Sequence, residues 1–378
     1  MEDNRVDPTK LGTIKEIDYL RGFGVLAVIA IHTTGYFTEI PRFNTLVLIN
    51  LWTDVFSQFA VPLFILISGF VLAKNYRSKF SLKTFYQKRI RSIIPQYLIF
   101  SVAYTAFNNW GVMRNNPLKA NLVLLLKNII HADASYHLWF FSIIIQLYIF
   151  YPLIIKIYTF FKQKNKAELL MAILLIVQIL WMEGLHTPYF GTLKINFIAY
   201  LFYFGMGIYS GDHFEHLRNS GKSLTPIFLT ISLALTLGAS SFIIIGLTMG
   251  YRYTDIPAYF FIGPELIYPV LRISTFLLFF NLARNLVGQR NGLEKVISKL
   301  GNYSFGIYLI HIFFNQYAIK FLRNYTIDDT HWIFYPVVFG VTVILSYLAV
   351  RLMSYLPYSY YIIGHRSKPQ SHRSIVRL

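Results

Sequence analysis

Apolar runs of membrane-crossing length recur along the whole chain, and that recurrence leaves little choice of fold. They fall at about 18–38, 46–73, 85–108, 138–160, 167–183, 195–210, 225–249, 263–283, 303–321 and 332–355. A helix of about 20 apolar residues crosses ~30 Å of hydrocarbon with every backbone hydrogen bond made within itself, which an open sheet cannot do. The pattern therefore predicts an all-α fold: a polytopic membrane bundle of about ten transmembrane helices. Composition agrees, because 55% of the residues are hydrophobic and only 14% are charged, against about 25% charged in an ordinary soluble domain. Between the third and fourth runs, NLVLLLKNII (121–130) is too short to span and is expected as an interfacial or re-entrant helix on the outer side.

The net charge is +18. In a soluble protein such an excess would point to nucleic acid. Here the basic residues cluster in alternate connections: Lys74 to Arg91, Lys156 to Lys166, Arg218 and Lys222, and Arg284 to Lys299. That alternation follows the positive-inside rule, so the partner read from the charge is a lipid bilayer and not a nucleic acid. It predicts both termini in the cytoplasm. The organisation expected is an N-terminal tail (1–14), a membrane domain (15–356) and a basic C-terminal tail (357–378), with no cleavable leader. The chain has no cysteine, which excludes disulfides and thiol catalysis.

Two ionisable residues interrupt the first apolar run, Arg21 and His32. Eleven positions on a helix give about 16 Å of rise and about 1100° of rotation, only ~20° from three full turns. Both side chains thus share one face, with Asp18 just ahead where a carboxylate suits a helix start. A guanidinium near the cytosol suits a phosphorylated donor. An imidazole near mid-membrane suits proton abstraction from a hydroxyl. Interfacial anchoring of Arg21 and plain packing of His32 are the competing roles. Lys88, Arg89 and Arg91 precede Pro95 at the third run, as positive-inside charge or as a phosphate site. His137 and Trp139 open the fourth run and His311 lies in the ninth, each either structural or part of an acceptor site. Glu265 and Arg272 are seven apart, near one helix face, as an ion pair or an acceptor-site wall. No His, Asp and Glu cluster has metal spacing, so neither a metal nor a permanently bound cofactor is expected.

Five segments carry a resemblance. LRGFGVLAVIAIH (20–32) has the Arg, ten residues, His pattern; VPLFILISGFVL (61–72), FYQKRIRSIIPQYLI (85–99), HLWFFSIIIQLYIFYPLI (137–154) and LGNYSFGIYLIH (300–311) follow it in order. Together they resemble the acyltransferase-3 family of integral membrane acyltransferases, in its form without a C-terminal esterase-like domain. Two positions depart from the family pattern: Pro62 stands where an acidic residue is common, and Ser92 where a further basic residue is. The resemblance implies a multi-pass protein of a bacterial plasma membrane. It would move an acyl group, foremost acetyl, from acyl-CoA as co-substrate to a hydroxyl of a cell-surface glycan or lipid-linked precursor. His32 would be the general base and Arg21 would hold the donor; Lys88, Arg89 and Arg91 would take the coenzyme A phosphates. His137, Trp139, Glu265, Arg272 and His311 would line the acceptor side. The alternative is a transporter or exporter of a glycan or other polar solute, since polar residues facing a membrane cavity serve transport as well.

Overall fold

The computed structural model describes residues 14–40, 44–76, 80–185, 196–219, 225–252 and 259–365; both basic tails (1–13 and 366–378) and the side chain of Glu265 lie outside the described residues. Every described element is helical: α1 (Lys15–Thr34), α2 (Thr45–Ser57), α3 (Ala60–Asn75), α4 (Leu82–Met113), α5 (Leu118–His131), α6 (Trp139–Gln163), α7 (Ala167–Leu185), α8 (Leu201–Asp212), α9 (Phe214–Asn219), α10 (Thr225–Arg252), α11 (Tyr259–Leu286), α12 (Gly292–Asn324), α13 (Phe334–Met353) and α14 (Ser359–Ile363). Each of the ten apolar runs is helical over most of its described residues. Among the described residues, six helical spans are long and apolar enough to cross a membrane.

Three expectations change. The run at 46–73 is not one straight helix but α2 and α3, with the ladder broken at Gln58 and Phe59. Pro62 explains the break, because its ring has no N–H and collides with the carbonyl four residues back, that of Gln58. Asp18 does not cap α1. The helix starts at Lys15 after Ile14, with no side-chain cap, and Asp18 sits one turn in, where Arg21 Nη1 donates to its carboxylate at 3.2 Å. Residues 359–363, within the stretch expected as tail, form α14. The segment 118–131 is helical as expected, with exposed apolar side chains at Leu118, Leu122, Leu126 and Ile130.

Helix α1 is central and packs against α2, α3, α11, α12 and α13, which is why its two ionisable residues face protein. Its closest neighbour is α12. The two backbones meet at Gly22 and Gly301, where an added Cβ would run into the carbonyl oxygens of Ile297 and Asp18 respectively. Polar contacts gather the helix ends at one, basic end of the bundle. Arg218 Nε pairs with the buried Glu16 at 3.1 Å, Tyr19 donates to Glu294 at 2.8 Å, and Lys162 pairs with Asp212.

The same small-residue logic joins α3 to α8, where Gly207 lies against the Leu66 carbonyl and Gly69 against that of Phe204. Backbone cannot give way as a side chain tip can, so Gly207→Ala is expected to destabilise the protein by about 1–3 kcal/mol through overpacking. Gly340→Ala, with nothing within 4 Å of its new Cβ, should be neutral or stabilising by up to about 1 kcal/mol. Unfolding in detergent of the two variants beside the parent checks this. Equal stability of the two would show that the α3–α8 approach is not tight.

Candidate functional site

Arg21 is held at the inner turn of α1 by Asp18, and its side chain keeps 34% of its surface. That surface faces a cavity of about 500 Å³ enclosed by α1, α3, α4, α6 and α12 and bordered by Tyr360, Gly364 and His365. The polar wall includes Arg21, Asp18, Arg89, Ser68, Ser92, Asn302, Ser304 and His365; much of the rest is apolar, including Val28, Phe64, Phe140, Phe141 and Ile144. The Ser68 hydroxyl donates to the Phe64 carbonyl at 2.9 Å, so Ser68 contributes its edge to the wall while Gly69 supplies the close packing. Burial pushes the His365 imidazole below the ordinary histidine range.

Lys88, Arg89 and Arg91 come together as expected. They line a second cavity of about 380 Å³ with Ser92, Tyr360 and Tyr361. Arg89, Ser92 and Tyr360 border both spaces, so the basic group stands at the mouth of the inner cavity. Arg89 lies over the rings of Tyr76, Phe85 and Tyr148, 5.7–5.9 Å from their centroids, and its buried Nε has no hydrogen-bond partner. A guanidinium braced on three aromatic rings costs little further entropy when an anion arrives.

The far end of the inner cavity is closed by Val28 on α1 and Tyr308 on α12. His32 follows Val28 by four residues and His311 follows Tyr308 by three, one helical turn further from the basic end. There the histidines meet: ring centroids are 5.2 Å apart for His32 and His311 and 5.3 Å for His137 and His311. His32 also meets Tyr136 edge-on at 5.0 Å; His137 and His311 are buried, His32 is partly exposed, and Tyr136 is 49% exposed. Tyr308 donates its hydroxyl to the His137 carbonyl, which fixes the short loop carrying His137 onto α12.

The polar atoms of this cluster are unevenly satisfied. His311 Nδ1 lies 2.7 Å from the Tyr308 carbonyl. A carbonyl only accepts, so Nδ1 carries the proton and Nε2 is left as an acceptor. That Nε2 is buried without a partner, as are His137 Nε2 and Asn315 Oδ1. His137 Nδ1 is 3.0 Å from the Ser135 hydroxyl, and Asn315 Nδ2 donates to Thr33 Oγ1 at 3.2 Å. Buried acceptors without donors are rare in folded proteins, and His311 Nε2 and Asn315 Oδ1 are suited to a group that donates, such as a hydroxyl. Among the described residues no group of three or more His, Asp and Glu is arranged to hold a metal ion.

The other expected site residues lie elsewhere. Trp139 packs on Tyr200, with ring centroids 5.8 Å apart. Arg272 donates to the Tyr203 hydroxyl at 3.4 Å and stands 4.8 Å from the Tyr268 ring centroid. It shares a water-sized space with Pro62, so the position where the resemblance expected a carboxylate faces this arginine, which the tyrosines satisfy only in part, since its buried Nε has no partner. Reasoning along the chain missed Tyr136, Tyr308, Tyr148 and the pair Tyr360–Tyr361. Tyr308 had a signal in its spacing from His311; the others are brought in only by packing.

Residues 14–351 match the family model of an acyltransferase domain, acyltransferase-3. The chain belongs to the acyltransferase-3 family. Arg21, the basic group at 88–91 and the three histidines all lie within the matched residues. An amino-acid racemase of Enterococcus faecalis is 28% identical over 170 residues, 45% of this chain and 22% of that protein. The chain thus spans about a fifth of that relative's length, and the racemase chemistry is said of that protein alone. No solved structure matches the chain significantly. As a member of this family with apolar helices of spanning length, the chain carries a multi-pass membrane domain of the acyltransferase-3 type.

Proposed function

We propose that the protein takes an acyl group, foremost acetyl, from acyl-CoA at the cytoplasmic face of a bacterial plasma membrane and transfers it to a hydroxyl of a cell-surface glycan or lipid-linked precursor. In this reading about ten helices span the bilayer and the basic end, with both termini, faces the cytoplasm. The observation that carries it is the line along α1: Arg21 and Val28 border a cavity with a basic mouth, and His32 stands one turn beyond its closed end. The coenzyme A phosphates lie on Lys88, Arg89 and Arg91, the pantetheine arm enters past Arg21, and the thioester reaches the histidine cluster. His32 removes the proton of the acceptor hydroxyl as its oxygen attacks the thioester carbonyl. The carbon–sulfur bond breaks and the coenzyme A thiolate leaves, taking up the proton that His32 removed, which returns His32 to its neutral form. His137 and His311 bind the acceptor, whose hydroxyls donate to their free Nε2 atoms.

Tyr308 and Val28 stand between cavity and cluster, so the acyl chain passes only if the Tyr308 side chain swings aside. Purified protein incubated with radiolabelled acetyl-CoA and candidate glycans tests the reading, by label on the acceptor. An exporter is favoured by one observation, the helix break between α2 and α3, since broken helices mark many transporter sites. Movement of glycan into vesicles with no covalent label would decide for export.

The basic mouth gives a separate expectation. Replacing Lys88, Arg89 and Arg91 together by Gln should raise the KM for acyl-CoA and flatten its salt dependence, because the screened attraction that steers the donor is lost. A KM unchanged at low and moderate ionic strength would make them determinants of topology only.

A further inference from the structure

The second cavity contains more than charge. Its floor is α14, a five-residue helix that is firmly seated. The buried Gln96 donates through Nε2 to the Tyr360 carbonyl at 2.7 Å, and the Ser359 hydroxyl donates to the Ser354 carbonyl at 3.2 Å. Ser359 and Ile363 are fully buried. Gly364 adopts φ +70° directly against the Phe305 ring, where any Cβ would collide with it. The backbone is thus locked onto α4 and α12, while the Tyr360 and Tyr361 rings remain 41% and 43% exposed. They stand edge-to-face, with centroids 5.6 Å apart and planes at 81°, beside Lys88, Arg89 and Arg91.

Two aromatic rings on a rigid backbone beside three cations match the two halves of a nucleotide. The cations take phosphates, and an aromatic face takes a base whatever its edge pattern. Tyrosines beside lysines at a membrane surface also serve as interfacial anchors. A lipid headgroup, however, has no use for the opening from this space past Arg89, Ser92 and Tyr360 into the inner cavity. A donor with a nucleotide at one end and a reactive arm at the other uses both spaces. The inner one extends from Arg21 to Val28 along α1, about 10 Å of helix rise.

We propose that Tyr360 and Tyr361 form the platform for the purine base of the donor, so that α14 is part of the donor site and recognises the nucleotide end of coenzyme A. The inference rests on the acyl-CoA reading for its substrate, but it commits to a binding surface of its own.

The test is equilibrium binding to the full chain in neutral-lipid nanodiscs, with coenzyme A, adenosine 3′,5′-bisphosphate, pyrophosphate and pantetheine as probes. The parent should bind adenosine 3′,5′-bisphosphate at least ten times more tightly than pyrophosphate. Tyr360→Ala and Tyr361→Ala together should remove most of that preference. Tyr360→Phe and Tyr361→Phe, which keep the ring faces, should retain it, and pantetheine binding should be unmoved throughout. Equal affinity of the parent for the bisphosphate and pyrophosphate would overturn the proposal without any variant, as would an undiminished preference in the Ala pair. Loss of nucleotide binding on adding anionic lipid, with lipid affinity alone following the tyrosines, would assign the surface to headgroups and overturn it too. If the nucleotide preference stands but no acyl group is transferred, the acyltransfer reading from coenzyme A fails and the nucleotide site remains.

Discussion

His32→Gln is expected to lower acyl transfer by about 10²–10⁴-fold, the range lost with general-base assistance, with little change in acyl-CoA affinity. Gln keeps polarity and similar volume but has no useful basicity, so the variant removes proton abstraction and leaves the packing against Tyr136 and His311 nearly filled. Donor affinity persists because the basic mouth lies far down the cavity. Arg21, the nearest cation on the same helix, is about 16 Å of helix rise away. The neighbours set a second condition. His311 Nδ1 is committed to the Tyr308 carbonyl, which leaves its partnerless Nε2 as a second basic atom beside His32, so His311→Gln measured next to His32→Gln tells which ring takes the proton. Single-turnover transfer and acyl-CoA binding, measured on the same folded preparation, separate the two effects. Transfer by the variant near the parental rate would remove His32 as the base.

Much of this was legible from spacing alone. The helices follow from apolar runs that satisfy their own backbone, and the shared face of Arg21 and His32 follows from eleven residues at 3.6 per turn. The cluster of Lys88, Arg89 and Arg91 was legible as charge at a helix entrance, because sequence neighbours on one turn remain neighbours in space. The break between α2 and α3 had its signal in Pro62, which lies four residues beyond the freed carbonyl of Gln58; the long apolar run hid it. The histidine cluster was legible only as separate candidates. His32, His137 and His311 come from α1, a loop and α12, and their meeting depends on the Gly22–Gly301 approach that sets α1 against α12. Helix α14 was least legible. Five residues carry no periodicity, and its position depends on one hydrogen bond from Gln96 of α4 and a left-handed glycine. Asp18 was misread as a cap because good helix formers, Lys15 and Glu16, start the helix a turn earlier than the apolar run does.

Arg21→Gln is expected to act on binding where His32→Gln acts on chemistry. The guanidinium is half-buried, held by Asp18 at 3.2 Å, and borders the cavity proposed for the donor arm. A charge-assisted hydrogen bond contributes about 1.5–3 kcal/mol, so acyl-CoA affinity should fall by about 10–150-fold. Turnover at saturating donor should fall by less, unless the contact strengthens as the thioester reacts. Arg21→Lys restores the charge but not the planar fork, and Lys reaches Asp18 or the donor with a single ammonium. It should therefore recover only part of the loss if the donor is held by two parallel bonds. Asp18→Asn separates the roles of the pair. Removing the carboxylate leaves Arg21 charged and takes a negative group away from the donor, so affinity should hold or rise unless Asp18 is needed to aim the guanidinium. Acyl-CoA binding across these variants, read beside their single-turnover rates, gives the pattern. Unchanged affinity in Arg21→Gln would reduce Arg21 to an anchor at the membrane surface and leave the entrance of the donor arm to Arg89 alone.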